Sequence, residues 1–278
     1  MADKKYRDSV FRHFFITDKK RLASLLRAVP GVECDNPDEI EIQNLEAAML
    51  SSVQNDVACI WRGQLFVLTE HQSTLNENMP LRFLFYTEKM LRKLIGDAQH
   101  KYRTRLIMFP KMRFYVLYNG KYPAPERRLM RLSDAFGGDD ALELKVEFIN
   151  LNAGFNRELI ARSESLSDYC NFVDMVESRR RGGVELRVAL RESIDYCIAN
   201  GIMADYFQAN YWEVLAMYED DYDAELAGKA RFEEGEEQGK LTMIQNFYKA
   251  GTPLELIMTA TGWTKEQILA AVSEPSIG

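Results

Sequence analysis

Two short apolar runs parted by one Arg-Gly pair constrain this chain more than any other feature. Asp56-Val57-Ala58-Cys59-Ile60-Trp61 and Gln64-Leu65-Phe66-Val67-Leu68-Thr69 flank Arg62-Gly63. Runs of this length and β-prone composition, separated by a two-residue break containing Gly, predict a β-hairpin. The second run is almost wholly apolar, as a strand covered on both faces would be, and ends in Glu70-His71-Gln72. Side chains alternate along a strand, so Glu70 and Gln72 share a direction about 7 Å apart, with His71 opposed. A turn at Arg62-Gly63 brings Asp56 alongside the end of the second strand. One carboxylate from each strand plus a polar partner then converge at a sheet end. Such a pair suits a hard cation, Mg2+ or Mn2+, which leaves its other positions to water and phosphate. A bound ion of this kind lowers the pKa of water and neutralises charge on a phosphodiester under attack.

The flanking sequence supplies elements around this hairpin. Asp8 to Phe15 predicts a short helix, with His13 a surface or half-buried residue. Asp8 is either a third carboxylate for the metal or a helix N-cap. Thr17 or Asp18 caps a second helix bearing Leu22, Leu25, Leu26 and Val29, ended by Pro30-Gly31. Ile40 to Gln43 alternates as a short strand, and Glu46 beyond it is either a further acid supporting the site or, the favoured reading, a solvated one. Ser73 to Asn78 forms a polar loop able to contact phosphates. Pro80 suits the first turn of a helix, with Leu81, Leu84, Phe85, Leu91 and Ile95 predicted to face the sheet. Arg82 and Tyr86 fall near its start, beside the proposed site. Arg82 either contacts phosphate or forms an internal ion pair. Arg113 to Tyr118 predicts a third strand closed by Asn119-Gly120, and Leu142 to Ile149 a fourth with one solvated face.

Several stretches resemble the recombination-promoting nuclease and transposase branch of the PD-(D/E)XK enzymes. They are Tyr6-Arg7-Asp8-Ser9-Val10-Phe11, Asn55-Asp56, Glu70-His71-Gln72-Ser73, Asn78-Met79-Pro80-Leu81-Arg82, Tyr118-Asn119-Gly120, Leu132-Ser133-Asp134-Ala135-Phe136 and Ile149-Asn150-Leu151-Asn152. The resemblance implies an α/β, restriction-endonuclease-like αβββαβ core with a central mixed sheet flanked by helices. It further implies a metal-dependent DNA endonuclease linked to recombination or mobile elements. Asp56 and Glu70 would ligate the metal and Gln72 would position the attacking water. Asn55 stands where the superfamily has Pro, and Gln72 where it has Lys; a neutral Gln orients water but adds no positive charge.

Net charge is −7, yet the charge is segregated. Between Leu81 and Arg131 lie thirteen Lys/Arg against Glu88, Asp97 and Glu126, a net of +10 that leaves −17 for the rest. That imbalance points to an anionic partner, and Arg82, Arg92, Lys93, Arg103 and Arg105 are the residues expected to line a DNA path. Many of the others read as solvated helix and loop residues. The four cysteines are widely spaced with no CxxC pair, which favours buried reduced thiols over a disulfide framework. With no leader-like opening and no apolar run of membrane-spanning length, a cytoplasmic protein is expected.

Three regions follow: a nuclease core over 1–154, a helical extension over 155–218 and an acidic, Gly-spaced helical tail over 219–278. The segment from Phe232 to Lys240, interrupted by Gly235 and Gly239, predicts a loose helix or flexible connection. The last three short helices resemble a helix-turn-helix. The final one carries only Lys265 as a base, which favours self-association, a homodimer through this region, over groove reading. The alternative to an active nuclease is a catalytically silent DNA-binding or regulatory protein that keeps the nuclease fold.

Overall fold

A computed structural model describes residues 10–43, 56–71, 75–96, 104–120 and 122–273, of which 56, 69–71, 93, 218–229, 231, 234 and 273 are described by their backbone alone. The chain forms two compact units, 1–218 and 219–278. No helix among the described residues is long and apolar enough to cross a membrane.

The first unit is α/β, built on a six-stranded mixed sheet. The predicted hairpin is its centre: β2 (Asp56–Trp61) and β3 (Gln64–His71) pair antiparallel. Arg62 and Gly63 turn the chain with φ of 47° and 69°, the two positive values that match a two-residue turn to the strand twist. Arg62 tolerates this conformation, uncommon for a residue with a Cβ, while its guanidinium lies over the Trp61 ring and donates to Glu39 at 2.9 Å. That hydrogen bond holds the Glu39 carboxyl below its ordinary range. β1 (Glu41–Ile42) joins the outer side of β2, and β4 (Lys111–Tyr118) lies parallel to β3. β6 (Lys145–Asn150) lies parallel to β4, and β5 (Arg127–Arg131) pairs antiparallel with β6. The order across the sheet is β1-β2-β3-β4-β6-β5.

No sequence pattern predicts β5. Three of its five residues are Arg, so no apolar alternation marks it, and backbone pairing to β6 makes it a strand. Arg127 and Arg131 are exposed and pair with Glu147 and Glu143, at 3.2 and 3.1 Å.

α1 (Val10–Ile16) packs on β2, and α2 (Lys19–Arg27), N-capped by Asp18, packs on α1. α3 (Met79–Ile95) shares the opposite core with the sheet. Here the structure corrects the predicted face in part, since Leu84 packs against this core as expected. Leu81 and Phe85 are exposed, the latter at 59%. The stripe in the core is Met79, Phe83, Tyr86 and Met90, an i, i+4, i+7, i+11 series. Both stripes are apolar, so composition alone does not separate them.

Beyond the sheet, α4 (Arg157–Ala161), α5 (Glu164–Arg181) and α6 (Leu186–Ala199) follow, and α5 packs on both α2 and α6. The chain passes into the second unit within α7 (Ala204–Lys249), kinked at Asn210. Gly235 and Gly239 lie inside this helix, so of the two expected forms the segment takes the helical one. In the second unit, α8 (Leu254–Thr261) and α9 (Lys265–Ser273) bury Ile257 and Ile268 against Ile244. Gln245 donates to the Ala271 carbonyl at 2.8 Å. The four cysteines are free, with Cys34, Cys59 and Cys197 buried.

Candidate functional site

The strand register sets the geometry of the predicted site. Asp56 is the first residue of β2 and Glu70 the last but one of β3, so both stand at the same end of the hairpin. Asp56 is registered with Thr69, and Glu70 is the next residue along. Directly opposed positions of a regular ladder share a face. A ligand pair of Asp56 and Glu70 therefore needs the ladder to loosen where the two strands stop. Asp8, Gln72 and Arg103 lie outside the described residues, as do the side chains of Asp56, Glu70 and Lys93. Among the described residues no three His, Cys, Asp or Glu gather as a metal-binding group. The two carboxylates fit a hard cation by donor type.

The same end of the sheet collects the C-termini of the parallel strands. His71 of β3 is registered with Tyr118 of β4, and Tyr118 with Asn150 of β6. In open α/β sheets this end is where ligands bind. A latch of amides organises it. Buried Asn150 donates to the Ala124 carbonyl at 3.2 Å, and its Oδ1 accepts from Asn152 N at 3.0 Å. Asn152 donates to the Gly120 carbonyl at 3.0 Å. Asn156, at φ 43°, donates to the carbonyls of Glu126 and Asn150 at 2.8 and 2.9 Å. Tyr118 closes the set, its hydroxyl donating to the Tyr122 carbonyl and accepting from Tyr122 N. A Cβ on Gly120 would fall 2.5 Å from the Tyr118 ring, so Gly is required there. In the sequence Asn150 and Asn152 stand out only as motif residues. Their structural signal is the Asn-x-Asn spacing, which lets one side chain accept from the amide two residues on.

The basic residues distribute less simply than the sequence suggests. The start of α3 sits over β5 and β6: Glu77 pairs with Arg128 at 2.9 Å, and a cavity opens between Pro80-Leu81 and Leu129-Met130. That is two to three strands from Glu70 in the sheet order, so the first turn of α3 is not beside β3 as expected. Tyr86 is buried and accepts from Arg82 Nε at 2.6 Å; packing takes its ring. Arg92 is exposed but ion-paired with Glu88. It lies ten residues past Arg82, about 15 Å along the helix. Arg105 is exposed. Arg127, Arg128 and Arg131 are each paired to a Glu from outside that segment, so three units of the +10 are neutralised locally.

Comparison with protein-family models, with curated proteins and with solved structures gave no match in any of the three.

Proposed function

We propose that this chain is a divalent-metal-dependent DNA endonuclease with a PD-(D/E)XK-type core, tied to recombination or mobile elements. The observation that carries the reading is topological. An antiparallel β1-β2-β3 set is followed by a helix and a strand parallel to β3, with Asp56 heading β2 and Glu70 near the tail of β3. This order supports the αβββαβ core that the sequence resemblance implies, and the two acids stand at one sheet end.

Asp56 and Glu70 would hold the ion, whose chemistry when bound is to acidify water and offset phosphate charge. Gln72 would orient the attacking water through its amide, which both donates and accepts. Arg82, Arg92, Lys93, Arg103 and Arg105 are the cations offered to the DNA backbone. With no lysine at position 72, transition-state charge would be left to the ion. Cleavage of supercoiled plasmid with Mg2+ or Mn2+, abolished by EDTA and by Asp56→Ala, is the expected result. Intact plasmid under all metal conditions would overturn it.

A second reading, a catalytically silent DNA-binding or regulatory protein on the same fold, is favoured by Gln72 and by the register of Asp56 with Thr69 rather than Glu70. It predicts DNA binding without cleavage.

A further inference from the structure

We propose that the cavity at the ends of β4 and β6 receives one unpaired nucleotide; the inference rests on the nuclease reading for DNA as its source. The cavity measures about 300 Å³, at the lower bound of the roughly 300–1,000 Å³ usual for small-molecule sites. Asn119, on its wall, directly follows Tyr118, which is registered with His71 of β3. Leu151, on another wall, directly follows β6. The cavity therefore opens at the same sheet end as Asp56 and Glu70.

Its lining matches the parts of a nucleotide. Phe155 is 38% exposed at the cavity, and an exposed aromatic ring stacks any base. Buried Leu151 supplies an apolar wall. The side chains of Asn119 and Asn171 make no hydrogen bond among the described residues, which leaves their amides as both donors and acceptors for a base edge. Arg157 is exposed, with no acidic partner among the described residues, and a guanidinium suits a phosphate. Asp174, on the same rim, is engaged by Arg181 at 3.5 Å. The walls are held in place beforehand, since Asn152 is fixed to Gly120 and Asn156 to Glu126 and Asn150.

A base within a duplex has its edge paired and both faces stacked, so this cavity selects a nucleotide outside a helix. Two sources offer one: a single-stranded stretch of DNA or a free mononucleotide. The test is fluorescence polarisation in EDTA with a labelled single strand, its blunt duplex, and the duplex carrying a single-stranded overhang. Single strand and overhang should bind tighter than the blunt duplex. Phe155→Ala and Asn171→Ala should each weaken that binding about 5- to 100-fold and leave blunt-duplex binding unchanged. Displacement by deoxynucleoside monophosphates assigns the cavity to the nucleotide alone; binding that resists them assigns it to a nucleotide within a strand. Variants that melt like the parent protein and bind single strands equally well would overturn the inference. Failure of the nuclease reading shows differently, as overhang binding sensitive to Phe155→Ala without metal-dependent cleavage.

Discussion

Asp56 is the cross-strand partner of Thr69, and Glu70 stands one residue beyond it. From strand spacing and rise, the Cα positions of Asp56 and Glu70 are about 6 Å apart, diagonal across the ladder, and a regular ladder sends their side chains to opposite faces. The offset gives the metal reading a sharp internal control. Asp56→Ala and Glu70→Ala should each lower metal-dependent cleavage by at least about 100-fold, the scale on which single charge-stabilising groups act. Thr69→Ala should change it less than about tenfold, and all three variants should melt alike without metal. Equal losses from Thr69→Ala and Glu70→Ala in a plasmid-nicking assay would point to strand-end disruption and away from ligation.

The Arg92–Glu88 pair sets the expected behaviour of the helix cations. Arg92→Ala with Lys93→Ala should weaken binding to every DNA sequence about equally and make the salt slope shallower, by about 0.9 for each phosphate no longer neutralised. Because Glu88 already neutralises part of Arg92, Glu88→Gln should tighten binding. Polarisation titrations across a salt series decide this; an unchanged slope removes both residues from the DNA path.

The two apolar stripes of α3 predict opposite outcomes for neighbouring phenylalanines. Phe83 is fully buried, 5.8 Å from Tyr86 and 5.1 Å from Phe114 between ring centroids. Phe83→Ala should cost about 3–5 kcal/mol, while Phe85→Ala should stay within about 0.5 kcal/mol of the parent. Urea denaturation measures both. Comparable losses would mean that the helix is rotated about its axis.

Burial pushes the Cys59 thiol up from 9.0 to about 12. The neutral thiol is the form the fold favours, so its full contribution holds below pH 9. Above that, the unfolded chain releases its proton first and stability falls until the folded value is reached. The slope from this group is at most about 1.4 kcal/mol per pH unit. Cys59→Ala should show a shallower decline in denaturation midpoint above pH 9 than the parent protein. Identical declines would mean that Cys59 titrates freely.

Local signals make the hairpin legible. Asp56 to His71 carries its strand pattern and its turn within one short stretch, and the structure places both strands as expected. The cap at Asp18 and the turn glycines Gly251 and Gly262 are equally local. Elements decided by long-range partners are not. Arg127 to Arg131 becomes a strand only because β6 lies beside it. Gly235 and Gly239 leave a helix and a flexible connection equally open in sequence, and α7 runs through them. The amide latch joins residues about thirty positions apart, from Ala124 and Glu126 to Asn150 and Asn156, and no window on the sequence spans it. For the candidate site, the residue types and their sheet end are readable. The one-residue register that relates Asp56 to Thr69 depends on both strands at once.

The Arg-rich strand at the sheet's far edge has a further consequence. An outermost strand presents backbone amides and carbonyls that another molecule's strand could zip onto. Arg127 and Arg131 lie on that edge strand as exposed cations, paired with Glu147 of β6 and with Glu143 just before it. A second copy arriving in antiparallel fashion would set like charges face to face. The sheet thus discourages its own lateral growth, and concentrated protein should resist fibrillation through this border as long as those two arginines remain.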